Sequence, residues 1–228
     1  MLYLLYLLGF LPSIIWLLFY LRKDVHPESN QAILKVFFYG MLIAFAAIFL
    51  EIGFKKISSN LLLYLFVGGA LVEEYLKYLV VKLEVLRSSE LDEPIDIMLY
   101  MIIAGLGFAA LENILILVKY HPFLELPKTL EISTLRFLTA TFLHALCSGI
   151  VGYFLAISFF NLKKQKKFLL MGLGIAIALH GSYNLSIIKI DDWKKFIFPV
   201  IILIGAAWFV SLGFKKLKRL KGICKVSI

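Results

Sequence analysis

The sequence is poor in what a soluble domain needs. Only 17% of its 228 residues are charged, against roughly 25% in ordinary soluble domains. Two cysteines, Cys147 inside an apolar run and Cys224 in the tail, are too few for a disulfide framework. No Gly-x-Ser-x-Gly turn is present, which removes the nucleophile elbow of serine hydrolases. Prolines number six, and the two inside apolar runs, Pro12 and Pro199, lie near run ends, so broken helices are not expected. Basic residues exceed acidic ones, giving a net charge of +9. They sit between and after the apolar runs, however, which reads as membrane orientation and excludes a nucleic-acid-binding face.

What is abundant is apolar surface: 61% of residues are hydrophobic, and the mean hydropathy is +0.92. Seven runs stand out, at about 2–21, 33–52, 61–83, 97–118, 133–160, 168–188 and 196–214. Each is long enough for a helix crossing roughly 30 Å of hydrocarbon. The expectation is an all-α, polytopic membrane bundle of about seven transmembrane helices, a single unit over residues 1–228 in the cell membrane. The longest interruptions, about 84–96 and 119–132, are too short to hold a separate domain. Residues 1–21 lack a charged leader region and a small-residue cleavage site, so they are read as a retained first helix. The Lys163, Lys164, Lys166, Lys167 cluster, with Arg22, Lys23, Arg87 and the tail from Lys215 to Lys225, falls on one side if the N-terminus is outside. That predicts an N-out, C-in topology.

Ionisable groups at mid-bilayer cost about 2.5–3.5 kcal/mol each on insertion scales, which makes them functional suspects. The third run carries Glu73, Glu74 and Lys77; the fourth, Glu112-Asn113; the fifth, His144; the sixth, His180 and Asn184. Lys77 is i,i+4 from Glu73 and i,i+3 from Glu74, so it can neutralise either carboxylate. His180 and Asn184 share a helix face. Gly105, Ala109 and Glu112 lie along one stripe, as do His144, Ser148 and Gly152, and small residues on a polar stripe let backbones approach closely. Counted from one face at 1.5 Å per residue, the four polar positions fall about 10–18 Å deep. They therefore converge on one buried site. A carboxylate there suits water activation, and a histidine with an asparagine could donate hydrogen bonds to an oxyanion. Glu73, Glu112, His144 and His180 would also make an acceptable zinc set.

Four motifs in order on consecutive spans, Glu-Glu-x-x-Lys (Glu73, Glu74, Lys77), Phe-x-x-x-Glu-Asn (Phe108, Glu112, Asn113), His144 and His-x-x-x-Asn (His180, Asn184), resemble the PrsW family of intramembrane proteases. That family is distantly related to type II CAAX-prenyl endopeptidases and bacteriocin-processing enzymes. The resemblance covers about residues 61–190. It implies a glutamate-dependent endopeptidase cutting a membrane-associated protein or peptide; some members process anti-sigma factors, a membrane-bound regulator. By the same resemblance Glu73 is the base, Glu74 with Lys77 the orienting ion pair, and His180 with Asn184 the oxyanion group. The CAAX enzymes have a histidine where this chain has Glu112, which leaves Glu112, His144 or a metal as the base's partner. No cofactor is required on the favoured reading, with zinc as the alternative.

Plainer roles stand beside these. The Glu73/Glu74/Lys77 group could fix helix register, His144 and His180/Asn184 could bond neighbouring helices, and Phe108 could simply pack. Arg136 reads as a snorkelling interface residue. The competing functions are a proton- or ion-coupled transporter using the buried Glu/His/Lys cluster, and a non-catalytic scaffold. A transporter would favour broken helices and internal symmetry, and neither is evident. The expected partners are the substrate and the lipid bilayer, with no nucleic acid; the oligomeric state is open.

Overall fold

A computed structural model describes residues 2–24, 26–86, 88, 91–120, 125–158, 162–190 and 194–220. Arg87, Lys221, Cys224 and Lys225 lie outside the described residues. The elements run α1 (Leu2–Leu21), α2 (Asn30–Ile57), α3 (Leu61–Leu63), a π-helical segment Tyr64–Leu71, α4 (Val72–Glu84), α5 (Pro94–Tyr120), α6 (Leu126–Leu138), α7 (Ala140–Ile157), α8 (Gln165–Lys189) and α9 (Lys194–Leu217). A 3-10 turn, Leu162–Lys164, leads into α8. No strand occurs among the described residues. The fold is all-α, as expected of a chain whose backbone must satisfy its own hydrogen bonds in lipid.

Six helical stretches are long and apolar enough to cross a membrane. The third predicted run, 61–83, is helical from end to end but differs from the other six. It is divided by the π segment and carries Glu73, Glu74 and Lys77, so it does not qualify by length and composition. A second difference concerns the expected interruption at 119–132. Helix α6 begins within it, at Leu126, with Pro127 in the first turn, where a missing N–H costs nothing. The stretch 126–157 then bends at Thr139 (φ −121°, ψ −80°), whose hydroxyl donates back to the Leu135 carbonyl at 2.7 Å.

Local chemistry sets the helix ends. The Ser29 hydroxyl accepts from the Ala32 N–H and opens α2; the Asn60 side chain accepts from the Leu63 N–H and opens the α3–π–α4 rod. Only residues 58–60 separate these two elements, so they run antiparallel, and the pair is closed at its far end by Lys35 Nζ to Glu84 Oε2, 2.6 Å.

Helix α5 is the hub. Every residue from Pro94 to Leu111 is buried, and α1, α2, α4 and α7 pack around it. Lipid tails are as apolar as leucine, so close van der Waals packing and interhelical hydrogen bonds must hold these helices together. Gly40 of α2 lies so close to the Ala104 carbonyl that no Cβ would fit, and Gly105 faces Ser148 and the His144 carbonyl in the same way. The outside of the bundle is the inverse of a soluble surface: Leu7, Phe49, Ile204 and Trp208 are all exposed.

Candidate active site

The rod from Leu61 to Glu84 brings the first polar group inward. Its π segment carries Gly68-Gly69 and ends at Leu71, two residues before Glu73. Gly181 of α8 sits against the Phe66 ring with no room for a Cβ, which draws His180 towards the rod. Glu74 and Lys77 are fully buried and Glu73 is 8% exposed. A buried charge needs partners, and each of these has them nearby. Lys77 Nζ donates to Glu74 Oε1 at 2.7 Å and to His144 Nδ1 at 2.8 Å, and stands 3.7 Å from Glu73 Oε2. Its ammonium also lies 4.5 Å from the centre of the Phe108 ring, so Phe108 acts as a cation–π wall as well as packing.

The two imidazoles are held in defined roles. His144 lies between the Lys77 ammonium, which only donates, and Glu112 Oε2, which only accepts and is 2.8 Å from Nε2. It is therefore the Nε2–H tautomer, with its Nδ1 lone pair on Lys77. His180 Nδ1 is 2.9 Å from Glu74 Oε1 and donates to it, leaving Nε2 facing Glu73 Oε2 at 3.9 Å. The rings meet edge to face, 5.1 Å between centres.

Glu112 does not stand beside Glu73. Its Oε2 accepts from His144 and from Arg136 Nη2 at 2.9 Å, while Arg136 Nε donates to Asn113 Oδ1 at 2.6 Å. Asn113 Nδ2 in turn donates to Thr141 Oγ1 at 2.9 Å. The reading of Arg136 as a snorkelling residue is corrected: it is half-buried and ties α6 to α5 through two side chains. Cys147 donates to the Ala176 carbonyl at 3.7 Å, and Ser148 Oγ is buried without a partner; neither lines the cavity.

That cavity, of about 700 Å³, is walled on one side by Glu73, Glu112, His144, His180 and Asn184 and on the other by apolar side chains such as Ile116, Leu135, Ile187 and Val200. Asn184 lies half-buried in the wall and makes no hydrogen bond among the described residues. Lining residues that escaped sequence reasoning include Tyr64 and, on α2, Glu51. Glu51 sits at the end of its apolar run, where a lone carboxylate looks like an interface residue, and α2 carries none of the four motifs.

A buried carboxylate pair with its own lysine, two oriented imidazoles and a cleft wide enough for a peptide is hydrolase architecture, and sequence comparison agrees. The family model described as PrsW family intramembrane metalloprotease matches residues 28–212. The chain belongs to the PrsW family. Relatives named Protease PrsW include those of Geobacillus kaustophilus (strain HTA426), 30% identical over 91% of this chain and 87% of the relative, and Bacillus subtilis (strain 168), 28% identical over 94% of each. That of Clostridioides difficile (strain 630) is 26% identical over 91% of this chain and 88% of its own length. No solved structure matches. A PrsW protease acts on a protein in the membrane, which replaces the transporter reading.

The family description also raises a metal, and the donors can be tested against one. Glu73, His144 and His180 each offer one ligand atom within 4.8 Å of the other two. Glu73 Oε2 is buried with no hydrogen-bond partner, and His180 Nε2 has no other use. Two nitrogens and a carboxylate oxygen with a place left for water are a familiar catalytic zinc set. The residues fit. Of the four candidate ligands expected from sequence, Glu112 is the exception: it bonds the far side of His144, where second-layer carboxylates orient a ligating histidine.

Proposed function

We propose that this PrsW-family chain hydrolyses a peptide bond of a membrane-associated protein in the cavity, with Glu73 taking the proton from the attacking water. The observation that carries this is Glu73 Oε2: a buried carboxylate oxygen on the cavity wall with no hydrogen-bond partner, 3.7 Å from Lys77 Nζ, 3.8 Å from His144 Nδ1 and 3.9 Å from His180 Nε2. An unpaired buried acceptor costs about 1–3 kcal/mol or more, so its retention is best accounted for by use. Glu74 and Lys77 hold the geometry, since Glu74 fixes the His180 tautomer and Lys77 bridges Glu74 to His144. The His180 Nδ1 proton is committed to Glu74, so its Nε2 presents a lone pair. Stabilisation of the carbonyl oxygen then falls to the free carboxamide of Asn184. A divalent ion, when bound, would be held by Glu73, His144 and His180 and would polarise the carbonyl and acidify water, with Glu73 then serving as its ligand rather than as the base.

The test is cleavage of a membrane-anchored peptide by purified protein in detergent. Glu73→Gln should abolish it; turnover at the wild-type rate in that variant removes Glu73 from the role of base. Metal analysis of the same preparations should give one divalent ion per chain, lost in His180→Ala. In Glu112→Gln the ion should stay bound, with affinity reduced about tenfold. Activity indifferent to chelators, with no bound ion, would leave glutamate-only chemistry.

A further inference from the structure

Among the described residues, Glu51 is the one cavity carboxylate with no task in the reaction above. It lies on α2, a helix long and apolar enough to cross a membrane, on the same wall as Tyr64 and Glu73. It is half-buried and has no ion-pair or hydrogen-bond partner among the described residues. Among the described residues three carboxylates, Glu51, Glu73 and Glu112, line the cavity, and Arg136 is the only lysine or arginine that does. Arg136 is already bonded to Glu112. Lys77 is buried behind the wall on Glu74 and His144, and the hydrogen bonds of His144 leave it neutral. The cavity is therefore negative around Glu51, and the walls beyond it are apolar.

A lone carboxylate in an apolar span is costly to insert, and a cation brought by the bound molecule would offset that cost. Glu51 is six residues before the end of α2, about 9 Å along the helix axis, and Lys55 and Lys56 follow in the last turn. This depth suits a substrate side chain near the end of its own span, from which a long lysine or arginine stem can snorkel. Resting on the protease reading, we propose that Glu51 forms a subsite for a lysine or arginine side chain of the substrate, flanking the scissile bond. The apolar stem would lie along the cavity wall and the cationic head would pair with Glu51.

The experiment uses full-length protein in nanodiscs and a panel of membrane-anchored peptides that carry Lys, Gln or Glu at successive positions around the cut. Cleavage is read with wild type, and binding with the Glu73→Gln variant. Lys peptides should be favoured about tenfold over Gln peptides at one position, in kcat/KM and in binding. Glu51→Gln should collapse that ratio to within twofold, and Glu51→Lys should favour the Glu peptide, a charge-swap rescue that a merely structural role would not give. Equal handling of Lys, Gln and Glu peptides by wild type, or a preference unchanged in Glu51→Gln, overturns the subsite. If no peptide is cut, the protease reading fails by itself, and the binding ratio still decides the subsite.

Discussion

Arg136 reaches the site indirectly. Its guanidinium holds Glu112, Glu112 holds the Nε2–H of His144, and His144 Nδ1 faces Lys77 and Glu73. On the proposed roles it is a positioning residue, and its loss should act on turnover more than on binding. Arg136→Gln is expected to lower kcat about tenfold with KM within twofold. Arg136→Lys should recover only part of this, because an ammonium cannot reproduce the two-armed contact with Glu112 and Asn113. An unchanged kcat in Arg136→Gln would detach the chain of contacts from the chemistry. Arg136 also marks the limit of what a sequence shows at this scale. Glu73, Glu74, Lys77, His144 and His180 are conspicuous because each sits deep in an apolar run, where a charge or an imidazole has no lipid-facing excuse. Arg136 and Glu51 sit near run ends, where a charge can equally reach the interface, and only the packing of α6 and α2 turns them inward.

Among the elements, apolar runs translate into helices because length and hydropathy alone decide whether a segment can cross hydrocarbon. The π segment was not legible, since hydropathy says nothing about whether a backbone bonds i→i+4 or i→i+5. Its end two residues before Glu73 fits the tendency of π-helical turns to occur at functional sites. The start of α6 was hidden for a different reason: Leu126–Leu138 contains Lys128, Glu131 and Arg136, and the first two pair with each other at 2.6 Å on the exposed face. A connection at the opposite end of the bundle gives a pH prediction. Glu28, in the segment joining α1 to α2, accepts from the Tyr100 hydroxyl of α5 at 2.8 Å. Burial pushes its carboxyl up to about 8; the Tyr100 bond opposes the shift and nearby Asp96 adds to it. The folded protein thus holds this proton through a range where the unfolded chain, near 4.5, has released it. Its contribution to stability is complete below about pH 4.5 and is lost as pH rises towards 8. Thermal unfolding in detergent should show the melting temperature falling over that window, with a flatter profile in Glu28→Gln. Identical slopes for the two proteins would remove Glu28 as the cause.

At the scale of the whole molecule, the open question is whether the rod Leu61–Glu84 crosses the membrane, because that decides which face the cavity addresses. Geometry argues that it does. The rod would be about 36 Å long at helical rise, enough for the hydrocarbon core, and the Lys35–Glu84 pair binds its end to the start of α2. It escapes a length and hydropathy criterion because the π segment divides it and Glu73, Glu74 and Lys77 are on it, and those groups neutralise one another inside the bundle and need no water. The cavity draws on the end of α2, the end of α5, the end of α8 and the start of α9, so it lies at one end of the bundle. With the N-terminus outside, that end is the outer one, and the substrate would be met in the outer half of the membrane. Single cysteines at Ser59 and Ser88, at opposite ends of the rod, test both points with a membrane-impermeant maleimide on intact cells. Ser59→Cys should label directly, and Ser88→Cys only after permeabilisation. Labelling of both without permeabilisation would mean that the rod re-enters without crossing, while the reverse pattern would invert the topology and turn the cavity towards the cytoplasm.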